Sequence, residues 1–239
     1  MTLDYFKQKY GHEVEGLWVP RVTAVTGFVS KGNGFWNRGS ADWGTLVHQS
    51  VASLLKGEKG EPQESVMPSI QAFSKWQKAH HFEIESIEEV EKKVFDRENL
   101  YAGTVDIIGR VKGKKGIIDL KTSSEIRQEH SLQTAAYFAA YNSGSTKEKC
   151  ETRWILRIEQ YEECKGCFTK KKTKVSGGNP FCNHVWGGPK SELEFKELEN
   201  QAHDLEAFLS AKELWEWYNR EWLNQIPNYP KKLSQKVLI

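Results

Sequence analysis

No segment of this chain is apolar for long enough to cross a membrane, and its first residues, Met1-Thr2-Leu3-Asp4, bring an early acid instead of an apolar run. These absences predict a water-soluble protein of the cytoplasm, associated with the nucleoid or encoded by a phage, with no export signal. There is no internal repeat, no glycine-rich loop to cradle a phosphate and no helicase motor, which sets aside solenoids and nucleotide-driven machines. Neither sign of charge is in excess: Lys+Arg 34 stand against Asp+Glu 32, a net charge of +2. Bulk electrostatics therefore do not point to nucleic acid. Cysteine is scarce, at 4 residues, and a chain without an export signal disfavours disulfides. A hydrophobic fraction of 38% in 239 residues suits one domain with a substantial core and a small appendage, and is short for two.

What is present concentrates in residues 101–141. Asp106 lies near the end of one predicted strand and Asp119-Leu120-Lys121 at the end of the next, joined by the polar turn Val111-Lys112-Gly113-Lys114-Lys115-Gly116. Side chains alternate along a strand, so Asp119 and Lys121 share one face while Ile118 and Leu120 take the other. Two carboxylates and an ammonium then meet in one small site. Carboxylate oxygens are the ligands that Mg²⁺ or Mn²⁺ prefers, and a lysine beside a metal-activated water can orient it or stabilise charge at phosphorus. The plain alternative is a surface hairpin. The next segment, residues 128–141, reads as an Ala-rich helix with Gln133 and Tyr137 one turn apart on one face.

The runs Gly103-Thr104-Val105-Asp106, Ile117-Ile118-Asp119-Leu120-Lys121-Thr122 and Gln133-Thr134-Ala135-Ala136-Tyr137 resemble, in order and spacing, the PD-(D/E)XK nucleases of the RecB-like branch, which includes phage and mitochondrial exonucleases. Gly44-Thr45-Leu46-Val47-His48 is similar to the first motif of that family, a helix carrying a histidine. Val105 stands where the superfamily has its proline, which alters no ligand. The resemblance covers residues 22–160 and implies an α/β restriction-endonuclease-like core, a central mixed sheet flanked by helices. It implies a metal-dependent deoxyribonuclease, more an exonuclease of recombination, repair or phage replication than an endonuclease. Asp106, Asp119, the Leu120 carbonyl and His48 would hold catalytic Mg²⁺ or Mn²⁺, Lys121 would serve the water, and Gln133 and Tyr137 would brace the site or touch the strand. Glu91 fits an acid found ahead of the Tyr101 strand in this branch. The implied partner is DNA, single-stranded or at a duplex end, with a recombination or replication protein beside it. A site-specific endonuclease and a catalytically inactive nucleic-acid-binding protein are the alternatives. Taken alone, His48 borders the apolar stripe Val47, Val51, Leu54 and Leu55, where a histidine is more often packed or solvated, and Glu91 belongs to an acidic run that reads as a solvated strand face.

The cysteines form a second pattern. Cys164 and Cys167 make a Cys-x2-Cys knuckle, and Cys182-Asn183-His184 follows a loop, residues 169–179, that is almost wholly polar. Such a loop cannot bury enough apolar surface to hold itself, whereas three thiolates and an imidazole suit a closed tetrahedral Zn²⁺ site that would supply the missing free energy. Some RecB-like relatives instead carry a [4Fe-4S] cluster, which here would use Cys150, Cys164, Cys167 and Cys182. Those relatives place one cysteine ahead of the core and three after it, whereas here all four follow. Lys165, Lys170, Lys171, Lys172 and Lys174 give this loop a basic patch fit for phosphate contacts, although a lysine run is usually a solvated loop.

The remainder reads as scaffold. Residues 22–27 suit an entry strand or a helix cap, residues 68–82 a helix begun at Pro68, and residues 154–158 a further strand. The spacing of Leu193, Leu198, Leu205, Phe208, Leu209, Leu214 and Trp215 predicts one long or broken amphipathic helix over 191–224, followed by a loosely held tail. The expected organisation is a nuclease core over 1–160, a Cys/His insertion over 161–190, and a C-terminal helix and tail over 191–239 that complete the core.

Overall fold

The computed structural model describes residues 1–30, 38–144, 148–172 and 181–230. Helix α1 (Leu3–Tyr10), capped by the Thr2 hydroxyl, leads into a hairpin of β1 (Gly11–Val14) and β2 (Leu17–Pro20) and then α2 (Val22–Val29). The segment with two readings, entry strand or cap, is thus helical. Helices α3 (Arg38–Lys56) and α4 (Met67–Ala79) follow, the latter with Pro68 in its first turn, where the missing N–H costs nothing.

The centre is a 7-stranded mixed sheet. Strand β3 (Phe82–Glu83) and strand β4 (Val90–Asp96) both pair antiparallel with one edge of β5 (Tyr101–Val111). β6 (Lys114–Lys121) returns beside β5 through a two-residue turn at Lys112 and Gly113, whose φ angles of 51° and 84° match the hairpin twist. Helix α5 (Gln128–Ser143) crosses over to β7 (Thr152–Glu163), which lies parallel to β6, as a connection of this kind requires. β9 (Lys190–Glu197) closes the far edge of β7, and β8 (Lys170–Lys172) pairs with the last residues of β7 beyond the end of β6. Helix α6 (Gln201–Tyr218) and the short α7 (Arg220–Leu223) complete the chain.

Two apolar cores clasp the sheet. On one face Ile117, Val105 and Ile108 meet Ala136, Tyr137 and Ala140 of α5 and Phe208 and Trp215 of α6. The small alanines let α5 lie close to the strands. On the other face Ile118, Leu120, Trp154, Leu156 and Ile158 pack against Val47 and Val51 of α3 and Ile70, Phe73 and Trp76 of α4. The fully buried Arg153 ties the layers together: it donates to Ser131 O and Thr134 Oγ1 of α5 and pairs with Asp204 of α6.

The helix expected over 191–224 is corrected in its first part. Residues 190–197 are strand β9, because Leu193 and Phe195 alternate with Glu192, Glu194 and Lys196 and turn toward α4 while the acids face outward. The region assigned to a C-terminal helix therefore also supplies an edge strand. Of the tail expected over 227–239, the Asn228 carbonyl accepts from Trp18 N and Tyr229 packs against the core, so the chain is packed through this point; residues 231–239 lie outside the described residues. Among the described residues no helix is long and apolar enough to cross a membrane.

Candidate active site

Strands β5 and β6 separate at one end and leave a notch. Their register runs from Val111↔Lys114 to Ile107↔Ile118 and stops there, although β6 continues to Lys121. On its other edge β5 also loses its partner at Asp106, because the β4 register passes from Val90↔Ile107 to Lys92↔Val105 and skips the residue between. That residue, Glu91, has φ 56°, a left-handed backbone that a non-glycine residue seldom adopts. Asp106 fills the gap: its Oδ2 accepts the Leu120 N–H at 2.8 Å, replacing the missing ladder bond.

The other groups converge on this carboxylate. His48 of α3 places Nδ1 3.3 Å from Asp106 Oδ1. Asp119, 1% exposed, receives Gln133 Nε2 on Oδ1 at 3.0 Å and pairs through Oδ2 with Lys121 Nζ at 2.6 Å. Lys121 also donates to Gln133 Oε1 at 3.2 Å, and Gln133 Nε2 reaches the Tyr137 hydroxyl at 3.2 Å. One glutamine thus holds the acid and the lysine in a fixed relation, with Tyr137 behind it. Asp119, Lys121, Gln133 and Tyr137 form one bonded group and His48 and Asp106 another, joined by the Leu120 N–H on Asp106 and by the charges that the two groups exert on each other.

Its electrostatics follow from burial and proximity. Burial pushes the Asp119 carboxyl up to about 6, against the opposing pull of the Lys121 ammonium and with the help of the Asp106 charge. Burial acts on Asp106 in the same direction, but the His48 imidazole, with Lys121 and the Leu120 N–H, outweighs it and holds the carboxyl below its ordinary value. Partial burial disfavours the His48 imidazolium, yet Asp106 more than compensates and raises its pKa. A buried acid with a raised pKa thus lies within electrostatic reach of a second acid, an imidazole and an ammonium.

Glu91 does not join this cluster. Its backbone lies across from Asp106, but its half-exposed carboxylate pairs with Lys56 at 2.5 Å, two helical turns from His48 along α3. Three other residues support the site in roles that the sequence reading did not assign: Gly44 and Gly103, which lie within the quoted motifs, and His130. A Cβ on Gly44 would sit 2.8 Å from Thr122 Oγ1, so glycine lets α3 approach the end of β6, and a Cβ on Gly103 would meet the Tyr137 ring at 2.5 Å. His130, buried in the first turn of α5, accepts the Arg127 N–H on Nδ1 at 3.1 Å; burial, with Lys121 and Arg127 nearby, pushes its pKa down to about 3.

The second cluster stands past the end of β7. The ligand atoms of Cys164, Cys167, Cys182 and His184 all lie within 4.8 Å of one another, with Cys164 and Cys182 sulfurs 3.9 Å apart and Cys167 Sγ 3.5 Å from His184 Nδ1. This Cys₃His group is able to hold a metal ion such as zinc. Hydrogen bonding from the Cys167 backbone and from His184 brings the Cys164 thiol down to about 5, and Cys167 is lowered by its bonds to Thr169; Cys182, beside two sulfurs that titrate first, rises to about 11. Thiols that already favour thiolate are primed ligands.

Cys150 corrects the four-cysteine alternative. It is buried in the core at the start of β7, where its N–H and C=O bond the Asn142 side chain, and burial raises its thiol to about 12. The whole length of β7 separates it from Cys164, so the four cysteines do not converge on one cluster. The basic patch is also less unbalanced than its sequence suggests. Lys170 pairs with Glu192 at 2.7 Å and lies over the Tyr161 ring, and Lys171 pairs with Glu162 at 3.3 Å and lies over Trp186. Lys172 is placed by its backbone in β8, opposite Tyr161, while its side chain and Lys174 lie outside the described residues.

No protein-family model matches this chain, and no curated protein matches it closely enough to count as a relative.

Proposed function

We propose that the notch is the catalytic centre of a divalent-metal-dependent DNA nuclease of the PD-(D/E)XK type, on a restriction-endonuclease-like core. The observation that carries this reading is the buried Asp119 carboxylate, paired with Lys121 at 2.6 Å and close enough to feel the charge of a second acid that His48 already touches. Holding two acids together in partial burial is costly, and a protein that only bound DNA would gain nothing from it. Asp106, Asp119, His48 and the Leu120 carbonyl would hold Mg²⁺ or Mn²⁺. Such a cation supplies charge neutralisation at the phosphoryl oxygens and makes water a better nucleophile at neutral pH.

The chain's own residues do the rest. Lys121 orients the attacking water or donates to the phosphoryl oxygen as the water oxygen bonds to phosphorus and loses its proton to solvent, while the bond to the leaving oxygen breaks and that oxygen takes a proton from solvent. Gln133 Oε1 accepts a hydrogen bond from the ammonium, so that Asp119 is not its only partner. Tyr137, whose phenol burial holds neutral, fixes Gln133.

The test is digestion of end-labelled linear and of circular DNA, single- and double-stranded, with Mg²⁺, Mn²⁺ or EDTA. Hydrolysis that needs the cation is expected, and cleavage of linear but not circular substrates marks an exonuclease. Cutting of circular DNA at fixed sites selects the endonuclease, and metal-independent binding with no cleavage selects the inactive binding protein.

A further inference from the structure

The notch and the Cys/His cluster share one edge of the sheet. β6 and β7 are parallel with Lys121 in register with Arg157, and β7 continues to Glu163 before the chain reaches Cys164. At ~3.3 Å per residue, the knuckle stands roughly 23 Å beyond Lys121 along the strand direction. β8 pairs with residues 161–163 on the side of β7 that β6 has vacated, so the knuckle extends outward from the site.

Two aromatic rings flank the cluster. Phe168 directly follows Cys167 and Phe181 directly precedes Cys182, and at 72% and 95% exposure they are the most exposed large apolar side chains among the described residues. Phe168 has φ 58°, a backbone that bulky residues rarely take, and its N–H to Cys164 O at 3.0 Å holds it in that turn. Each phenylalanine is bonded to one of the four converging ligand residues, so both backbones meet at the cluster. Exposed Lys165 lies between the first two ligands, and Lys170 follows Phe168 by two residues. Rings set among lysines do not form the contiguous apolar patch of a protein interface; they match a polyanion that carries flat apolar faces.

We propose that Phe168 and Phe181 form a stacking platform for unpaired bases, which makes the substrate single-stranded between the notch and the knuckle. The inference rests on the nuclease reading for the strand's path. At ~3.4 Å per stacked nucleotide, the span corresponds to about 7 nucleotides.

The test is fluorescence anisotropy with labelled oligothymidylates of graded length and a blunt duplex, in buffer without Mg²⁺ or Mn²⁺. The intact chain should bind single strands with a step in affinity once their length passes about 7 nucleotides. Phe168→Asn with Phe181→Ser should erase the step and weaken long strands by about tenfold per ring, since base–aromatic stacking has this magnitude. The salt slope and the duplex affinity should not move, because no phosphate contact is lost. Tyrosine at both positions should restore binding. Should the double variant lose its metal, Phe181→Ser alone carries the test, at a side chain that supports no core. An unchanged length profile in the variants, or an equal loss on the duplex, overturns the platform. A chain that shows the step but cuts nothing with either cation supports the platform while removing the nuclease reading.

Discussion

The notch and the Cys/His cluster are both suited to a metal, yet they are built in opposite ways. In the notch each donor is held by something other than an ion: Asp106 by the Leu120 N–H, Asp119 by Gln133, and His48 by a helix whose Val47 and Val51 are locked in the core. In the knuckle the four ligands come from short loops, with one isolated bridge, Cys164↔Trp186, and a few backbone bonds around them. The difference teaches where the cost of assembling a site is met. Strands and helices pre-organise the first, so an ion held there would be exchangeable without loss of the fold, whereas the second would depend on its ion for its shape.

The sharpest way to break this comparison is to remove one donor from each side. Asp119→Ala should lower cleavage by at least about a hundredfold, since a lost metal ligand removes several kcal/mol of transition-state stabilisation. Its Tm should fall by far less than loss of the fold would bring, because the strands and helices around the notch are held by the two apolar cores. A large drop in Tm would show that the notch is not pre-organised. Cys167→Ser, or a strong zinc chelator, should do the reverse. Protease sensitivity over 161–190 and a change in Trp186 fluorescence are expected while amides of β5, β6 and α5 stay protected from hydrogen exchange, and loss of protection throughout the core would contradict the distinction.

Much of the notch was legible because its chemistry is local: the hairpin turn, the alternation that puts Asp119 beside Lys121, and the one-turn spacing of Gln133 and Tyr137 are all short-range patterns. What escaped depends on contacts distant in sequence. Gly44 matters only because α3 is laid against Thr122, and Gly103 only because Tyr137 crosses it. The stretch from Leu193 to Leu198 does not announce itself as a strand because its alternation is only two apolar positions long, Leu193 and Phe195, and a helical pattern follows directly. The carboxylates that neutralise Lys170 and Lys171 come from β7 and β9, which no local composition reveals.

Smaller effects sharpen the picture. His130 has a folded pKa of about 3, below the ordinary value of 6.5, so the stability it contributes is complete above pH 6.5 and is lost as the pH falls through the window toward 3. The slope should approach ~1.4 kcal/mol per pH unit, and His130→Asn, which can still accept the Arg127 N–H, should flatten the acid side of a denaturation series by that amount. An unchanged slope would mean that the imidazole is not held neutral. The smallest change is expected at Lys171. Because Glu162 already compensates it, Lys171→Ala should reduce the salt slope of DNA binding by less than the roughly 0.9 expected for a full phosphate contact. A reduction of that full size would show that the ion pair opens on binding.

The central claim is that the notch holds a divalent cation between the two acids. Anomalous diffraction from crystals soaked in Mn²⁺ measures this most directly. The account predicts a peak roughly 2.0–2.3 Å from a His48 nitrogen and from carboxylate oxygens of both Asp106 and Asp119, with the His48–Asp106 hydrogen bond replaced by coordination. An empty notch at saturating Mn²⁺, with that hydrogen bond intact, would contradict it.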